Sequence, residues 1–325
     1  MRTQTSSISV RRARPLVSTL LAALGRVAAL AGVAALAPTS ACSPSKPVAT
    51  LSASESWCPD GFEVGPQDTC FAVPETTTKE TPVLVYLHGM YAGHGSPEEW
   101  RIVRSAVSKG FAVVVPRGKR GLCAWKAELS DHFCWPQEVE DPQAFKNVVA
   151  EWDRVLWQVD AILEGSSHKR YVLGFSNGGF FAAYLAEHGL FPANAYAIVG
   201  AGPLEPARKA AKPVPLMLIS AQDDPDQAPK TKQLHEGLAK AGWTHAYCTR
   251  PGPHPLAGED MEAALRFFKH EQDGNLKPTP DGYACEGGTT SLGGFGAPAA
   301  PGTPGPPGPP GPPSTPGKKP VRDDR

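Results

Sequence analysis

Gly174-Phe175-Ser176-Asn177-Gly178-Gly179 follows an apolar run at 171–174 and opens a stretch, 177–188, with a helical pattern of apolar residues. A serine placed between a strand and a helix, with glycine two residues before and two after, sits in a turn too sharp for side chains at those flanking positions. Its hydroxyl is pushed out at the sheet edge. The helix N-terminus beneath it offers N–H donors and a favourable dipole to a developing negative charge. A glycine-rich turn leading into a helix can produce the same letters by chance, but the strand-turn-helix setting favours Ser176 as a nucleophile.

Outward from this turn, short apolar runs at 82–87, 111–115, 171–174, 196–199, 215–219 and 244–248 read as strands. Several are apolar throughout, as strands buried on both faces are. Between them, 97–108, 141–163, 177–188, 229–241 and 259–270 read as helices. The alternation predicts an α/β fold, a mostly parallel central sheet with helices on both faces. In 141–163, Phe145, Val148, Val149, Trp152, Val155, Leu156, Val159 and Ile162 recur at three- and four-residue steps. That single stripe belongs on the sheet, and neither Trp152 nor Trp157 is assigned a binding role.

Chemistry needs partners for the serine. The first strand ends in Leu87-His88-Gly89-Met90, and the backbone N–H groups of Met90 and Asn177 are the expected oxyanion hole. Each such donor stabilises a transition state by about 2.7 to 4 kcal/mol. His88 reads as a brace of that loop rather than a base. After 215–219 comes Ser220-Ala221-Gln222-Asp223-Asp224-Pro225-Asp226. Asp224 is the first choice for the acid, with Asp223 and Asp226 open and helix capping the alternative use of all three. Pro251-Gly252-Pro253-His254-Pro255 then sets His254 on a stiff loop before the last helix, where the base is expected. His235 and His245 are alternatives; His94, His132, His168, His188 and His270 read as surface or loop residues.

The two ends of the 325-residue chain differ in composition from its middle. Arg2, Arg11, Arg12 and Arg14 precede an apolar run at 16–37, and Thr39-Ser40-Ala41-Cys42 follows: the layout of an export signal over 1–42. Arg26 interrupts the run, and a mid-bilayer charge costs about 2.5 to 3.5 kcal/mol, so a cleaved signal is the better reading than a membrane span. Cys42 is the expected lipidation site, with cleavage near Ala41 or Ala37 the alternative, and general against twin-arginine export stays open. Residues 43–56 form a Ser/Pro/Thr-rich linker, 57–286 the domain, and 287–325 a Gly/Pro-rich tail expected to be disordered.

Seven cysteines less Cys42 leave an even set, which in an exported chain suggests disulfides. Cys58 with Cys70 and Cys123 with Cys134 are close in sequence, leaving Cys248 with Cys285. No C-x-x-C or paired His/Cys spacing supports a metal. With 32 basic and 32 acidic residues, nothing favours nucleic-acid binding.

The elbow, its Ser176-Asn177-Gly178-Gly179 continuation and the order serine, aspartate, histidine resemble the α/β-hydrolase superfamily. The likeness is to its secreted polyhydroxybutyrate-depolymerase, feruloyl-esterase and dienelactone-hydrolase-like branches. The resemblance implies ester cleavage through an acyl-serine and no cofactor, acting on a small-molecule or polymer-end ester. A monomer is expected, touching a membrane only through a lipid at Cys42. The chain departs from the branch at Ser220-Ala221-Gln222-Asp223-Asp224, where His-Gly-x-x-Asp is usual, and at Gly252-Pro253-His254-Pro255-Leu256, where Gly-Gly-His-x-Trp is usual. Alternatives are a non-catalytic binding lipoprotein or a peptidase of the same fold. The insertion 117–136, with Trp125, Phe133 and Trp135, either lines a substrate pocket or packs its own loop.

Overall fold

The computed structural model describes residues 57–123, 126–165, 168–209, 212–272 and 282–288. The expected signal, Cys42, the linker and Trp125 lie outside the described residues, as does the expected tail beyond Gly288. In chain order the strands are β1 (Glu63–Gly65), β2 (Thr69–Ala72), β3 (Val83–Leu87), β4 (Ala112–Val115), β5 (Lys119–Arg120), β6 (Phe133–Cys134), β7 (Arg170–Phe175), β8 (Ala195–Val199), β9 (Leu216–Ala221), β10 (His245–Arg250) and β11 (Ala284–Gly288). The α-helices are α1 (Pro97–Ser108), α2 (Pro142–Ala150), α3 (Asp153–Ile162), α4 (Asn177–His188), α5 (Ala228–Ala241) and α6 (Gly258–Gln272).

Nine strands make one sheet in the order β1-β2-β4-β3-β7-β8-β9-β10-β11, and β5 and β6 form a separate hairpin. From β4 to β10 every pairing is parallel; β1, β2 and β11 close the edges with antiparallel pairs. Along β3 the side chains alternate: Val83, Val85 and Leu87 enter the core under α2 to α5, Leu84 and Tyr86 the core under α1 and α6. Both faces are therefore apolar, which explains why the central strands read as unbroken hydrophobic runs. This is the α/β-hydrolase architecture.

One expected element divides. The stretch 141–163 is two helices, not one, with a turn at Glu151 and Trp152. Asp141 caps α2 by accepting from the Gln143 and Ala144 N–H groups, and Pro142 fits the first turn. At the break, the Trp152 N–H bonds the carbonyl of Val149, three residues back, the tighter step that ends an α-helix. It seats the buried Trp152 indole edge-on to Trp135, Phe181 and Phe191. The stripe survives the break except at its end, where Ile162 is 39% exposed.

Three disulfides join Cys58 to Cys70, Cys123 to Cys134 and Cys248 to Cys285, the pairing expected from the sequence. Such bonds persist in oxidising compartments. Among the described residues no helix is long and apolar enough to cross a membrane.

Near the end of α4, Glu187 is buried, and burial pushes its carboxyl up from 4.5 to about 7, with the Glu205 charge adding and a hydrogen bond from the Arg208 backbone opposing. The folded protein holds this proton more tightly than the unfolded chain, so the associated stability is full below pH 4.5 and lost as pH rises through 7. Glu187→Gln is therefore expected to stabilise the protein by about 3 kcal/mol at alkaline pH and by little at acid pH. Urea melts of both proteins across pH check this, and a pH-independent difference would contradict it.

Candidate active site

Strand β7 delivers Ser176 and helix α4 leaves from it. The serine holds φ 51° and ψ −118°, a conformation that costs a non-glycine residue about 1–3 kcal/mol. Its N–H donates to the Val199 carbonyl at 2.9 Å, and its own carbonyl accepts from Gly179 and Phe180, which locks the turn to β8 and α4. The flanking glycines answer to contact. A Cβ at Gly174 would stand 2.4 Å from the Gly178 carbonyl oxygen, and one at Gly178 2.1 Å from that of Leu87.

Ser176 Oγ lies 2.9 Å from His254 Nε2, and His254 Nδ1 lies 2.5 Å from Asp224 Oδ2. A carboxylate oxygen can only accept, so Nδ1 carries the proton and Nε2 is left to accept from the serine hydroxyl. The imidazole leans on the Phe175 ring, with centroids 5.1 Å apart. Gly200, at φ 59°, clears its path, since a Cβ there would meet the ring at 3.0 Å.

Of the three carboxylates left open by the sequence, one reaches the histidine. Asp224 is buried, and its other oxygen accepts from the N–H groups of Asp226 and Gln227 at 3.2 and 3.0 Å. Helix α5 starts without a side-chain cap. Asp223 instead pairs with Gly252: its Oδ2 accepts from that N–H at 3.0 Å while its own N–H donates to that carbonyl at 3.1 Å. Asp226 is exposed. His235 and His245 hydrogen-bond each other at 2.8 Å, with His245 at the far end of β10 from the His254 loop.

His88 is fully buried, donating from Nδ1 to the Gly89 carbonyl at 2.5 Å and accepting the Gly118 N–H at Nε2 from 2.9 Å. Burial pushes its pKa down to about 4, so it stays neutral and braces the turn. Met90 and Asn177 line the same cleft as Ser176. Among the described residues neither backbone N–H is claimed by another group of the chain.

Two supports were not visible beforehand. Glu99 of α1 is buried and accepts from the Tyr86 hydroxyl; burial raises its pKa, with Tyr86, Tyr91 and the Gly89 backbone opposing. The Trp135 backbone N–H donates to the Asn177 side-chain oxygen, and its indole N–H to the His88 carbonyl, both at 2.8 Å. Trp135 is fully buried and stacks on Phe181, while Phe133 lies beneath the Arg117 guanidinium at 3.7 Å. Both aromatics are buried and pack the insertion onto the turn.

The cleft at Ser176 measures about 460 Å³. Met90, Phe180, Pro203 and Leu204 give it apolar surface; Gln137, Gln227, Lys230 and Gln233 make its polar side. A second hollow of about 440 Å³, around Trp57 and Trp100, holds no serine. Among the described residues no group of three or more His, Cys, Asp or Glu side chains could hold a metal ion.

No family model matches the chain. A bifunctional acetylxylan esterase/xylanase of Neocallimastix patriciarum is 27% identical over 154 residues, 46% of this chain. That alignment spans 20% of the relative's length, so the chain corresponds to about a fifth of the protein it matches. Among solved structures, esterase PE8 is similar with a TM-score of 0.46 and 16% identity, covering 62% of this chain and 98% of its own. A Bacillus cereus carboxylesterase is similar with a TM-score of 0.45 and 18% identity, covering 62% of this chain and 93% of its own.

Proposed function

We propose that this chain is an exported serine hydrolase that cleaves carboxylic esters through an acyl-serine intermediate. The observation that carries the reading is the run Ser176, His254, Asp224 at 2.9 and 2.5 Å, opening on a cleft. His254 takes the Ser176 proton as Oγ attacks the ester carbonyl, and the oxyanion settles between the Met90 and Asn177 N–H groups. Collapse breaks the bond to the alcohol, which leaves with the proton from His254. Water then repeats the sequence, activated by the same histidine, and releases the acid and the free serine. Asp224 fixes the imidazole tautomer and stabilises its cation. No cofactor takes part.

The partial likeness to an acetylxylan esterase/xylanase supports an ester as the substrate. An apolar wall in a cleft of about 460 Å³ suits a small or aromatic acyl group, from a free ester or a polymer end. The signal-like N-terminus and the three disulfides support export, with lipid at Cys42 or simple cleavage as the two routes.

Fluorophosphonate labelling of the mature protein, with a panel of p-nitrophenyl esters, tests the reading. Label and turnover are expected in the wild type and absent from Ser176→Ala and His254→Ala. A folded wild type that takes no label would sink the hydrolase reading and favour a binding protein of this fold. Labelling with cleavage of peptides and no esters would favour a peptidase.

A further inference from the structure

The loop that carries His254 has an unusual problem of support. Pro251, Pro253 and Pro255 have no N–H, and the Gly252 N–H is already taken by Asp223. The loop can be held mainly through its carbonyls. Arg250, the last residue of β10 and 6% exposed, supplies the donors.

Its Nη1 donates to the carbonyls of Pro251 and Pro253 at 3.1 and 3.2 Å, and its Nη2 to that of Pro255 at 2.9 Å. Its Nε and Nη2 donate to the two carboxylate oxygens of Asp260 at 2.6 and 2.9 Å. A guanidinium has five N–H donors in a fixed fork, and each has its own acceptor here. Asp260 is itself fully buried and held by the Ala257 N–H and the Tyr283 hydroxyl, at 2.8 and 2.7 Å. A buried ion pair alone needs two of the five donors. The other three all go to the loop, and two of their acceptors immediately flank His254.

We propose that Arg250 is the positioning residue of the base: anchored on Asp260, it holds the three prolyl carbonyls and so sets the His254 imidazole between Ser176 and Asp224. The proposal rests on the esterase reading of those three residues. Lysine cannot replace arginine in this place, since an ammonium is a point charge without the planar fork. It can keep the ion pair with Asp260, which makes Arg250→Lys the variant that separates positioning from folding.

Arg250→Lys is expected to lower kcat by about 100-fold, the scale of a misplacement near 1 Å, with KM little changed. Tyr283→Phe, which removes one bond to Asp260 and none to the loop, is expected to keep kcat near that of the wild type. Methylguanidine at millimolar concentration is expected to restore part of the activity of Arg250→Ala, while sodium chloride at equal ionic strength is not.

A second readout needs no ester. The proton shared by His254 and Asp224 is expected downfield of the amide region in the proton NMR spectrum of the wild type, absent in His254→Ala, and lost or displaced in Arg250→Lys. A folded Arg250→Lys with wild-type kcat and an unmoved resonance overturns the proposal. If the wild type shows the resonance and cleaves no ester, the esterase reading fails alone, and the shift in Arg250→Lys still decides the positioning role.

Discussion

Asp224→Asn is expected to lower kcat for ester hydrolysis by about 10⁴-fold, the loss found when a buried triad aspartate becomes an amide. The reason is one of tautomers. Asp224 Oδ2 accepts from His254 Nδ1 at 2.5 Å, while Oδ1 is already committed to the Asp226 and Gln227 N–H groups. An asparagine keeps its oxygen on those two donors and turns its NH₂ toward the ring. Nδ1 must then accept, Nε2 takes the proton, and the serine hydroxyl loses its base.

Asp223→Asn makes the contrast. An amide oxygen can still accept the Gly252 N–H that Asp223 Oδ2 now holds at 3.0 Å, so only a small loss is expected. Asp226→Asn is expected to change nothing, since Asp226 reaches the site through its backbone N–H. Steady-state kinetics of the three variants on one p-nitrophenyl ester decides the matter. Equal losses at 223 and 224 would remove Asp224 from its assigned role.

That distinction marks where the sequence stops speaking. On paper Asp224 comes first with Asp223 and Asp226 still open, and the turn after β9 separates them by burying Asp224 and leaving its neighbours outside. The elbow was legible because a strained turn demands small residues at fixed offsets, and the parallel core because strands buried on both faces lose their polar alternation. Edge elements lacked both signals. Strand β11 reads Ala-Cys-Glu-Gly-Gly, poor in β-forming side chains, and it is held by pairing to β10 and by Cys248–Cys285. The split of 141–163 was hidden because the apolar steps run on through Trp152. Arg250 and Glu99 were hidden for a common reason: most of their partners are backbone groups or residues far along the chain, and no local pattern encodes them.

The second large effect is expected from Gly178→Ala, one methyl group behind Ser176. The added Cβ would stand 2.1 Å from the Leu87 carbonyl oxygen and 2.6 Å from that of His88. Both are backbone atoms, so no rotamer change can relieve the contact. Helix α4 must move away from the end of β3, or the His88-Gly89-Met90 turn must move away from the helix. Either motion separates the Met90 and Asn177 N–H groups and shifts Ser176 relative to His254. Overpacking of this kind costs about 1–3 kcal/mol of stability, and a displacement near 1 Å costs about 100-fold in rate. The expected result is thus a folded but weakened protein with kcat reduced far more than KM is raised. Gly258→Ala, where the new Cβ meets nothing within 4 Å, serves as the control and is expected to match the wild type. Denaturant melts and kinetics on the pair carry the test. A Gly178→Ala variant with unchanged stability and kcat would mean that α4 does not press on the β3 turn, and the two oxyanion donors would have to be sought elsewhere.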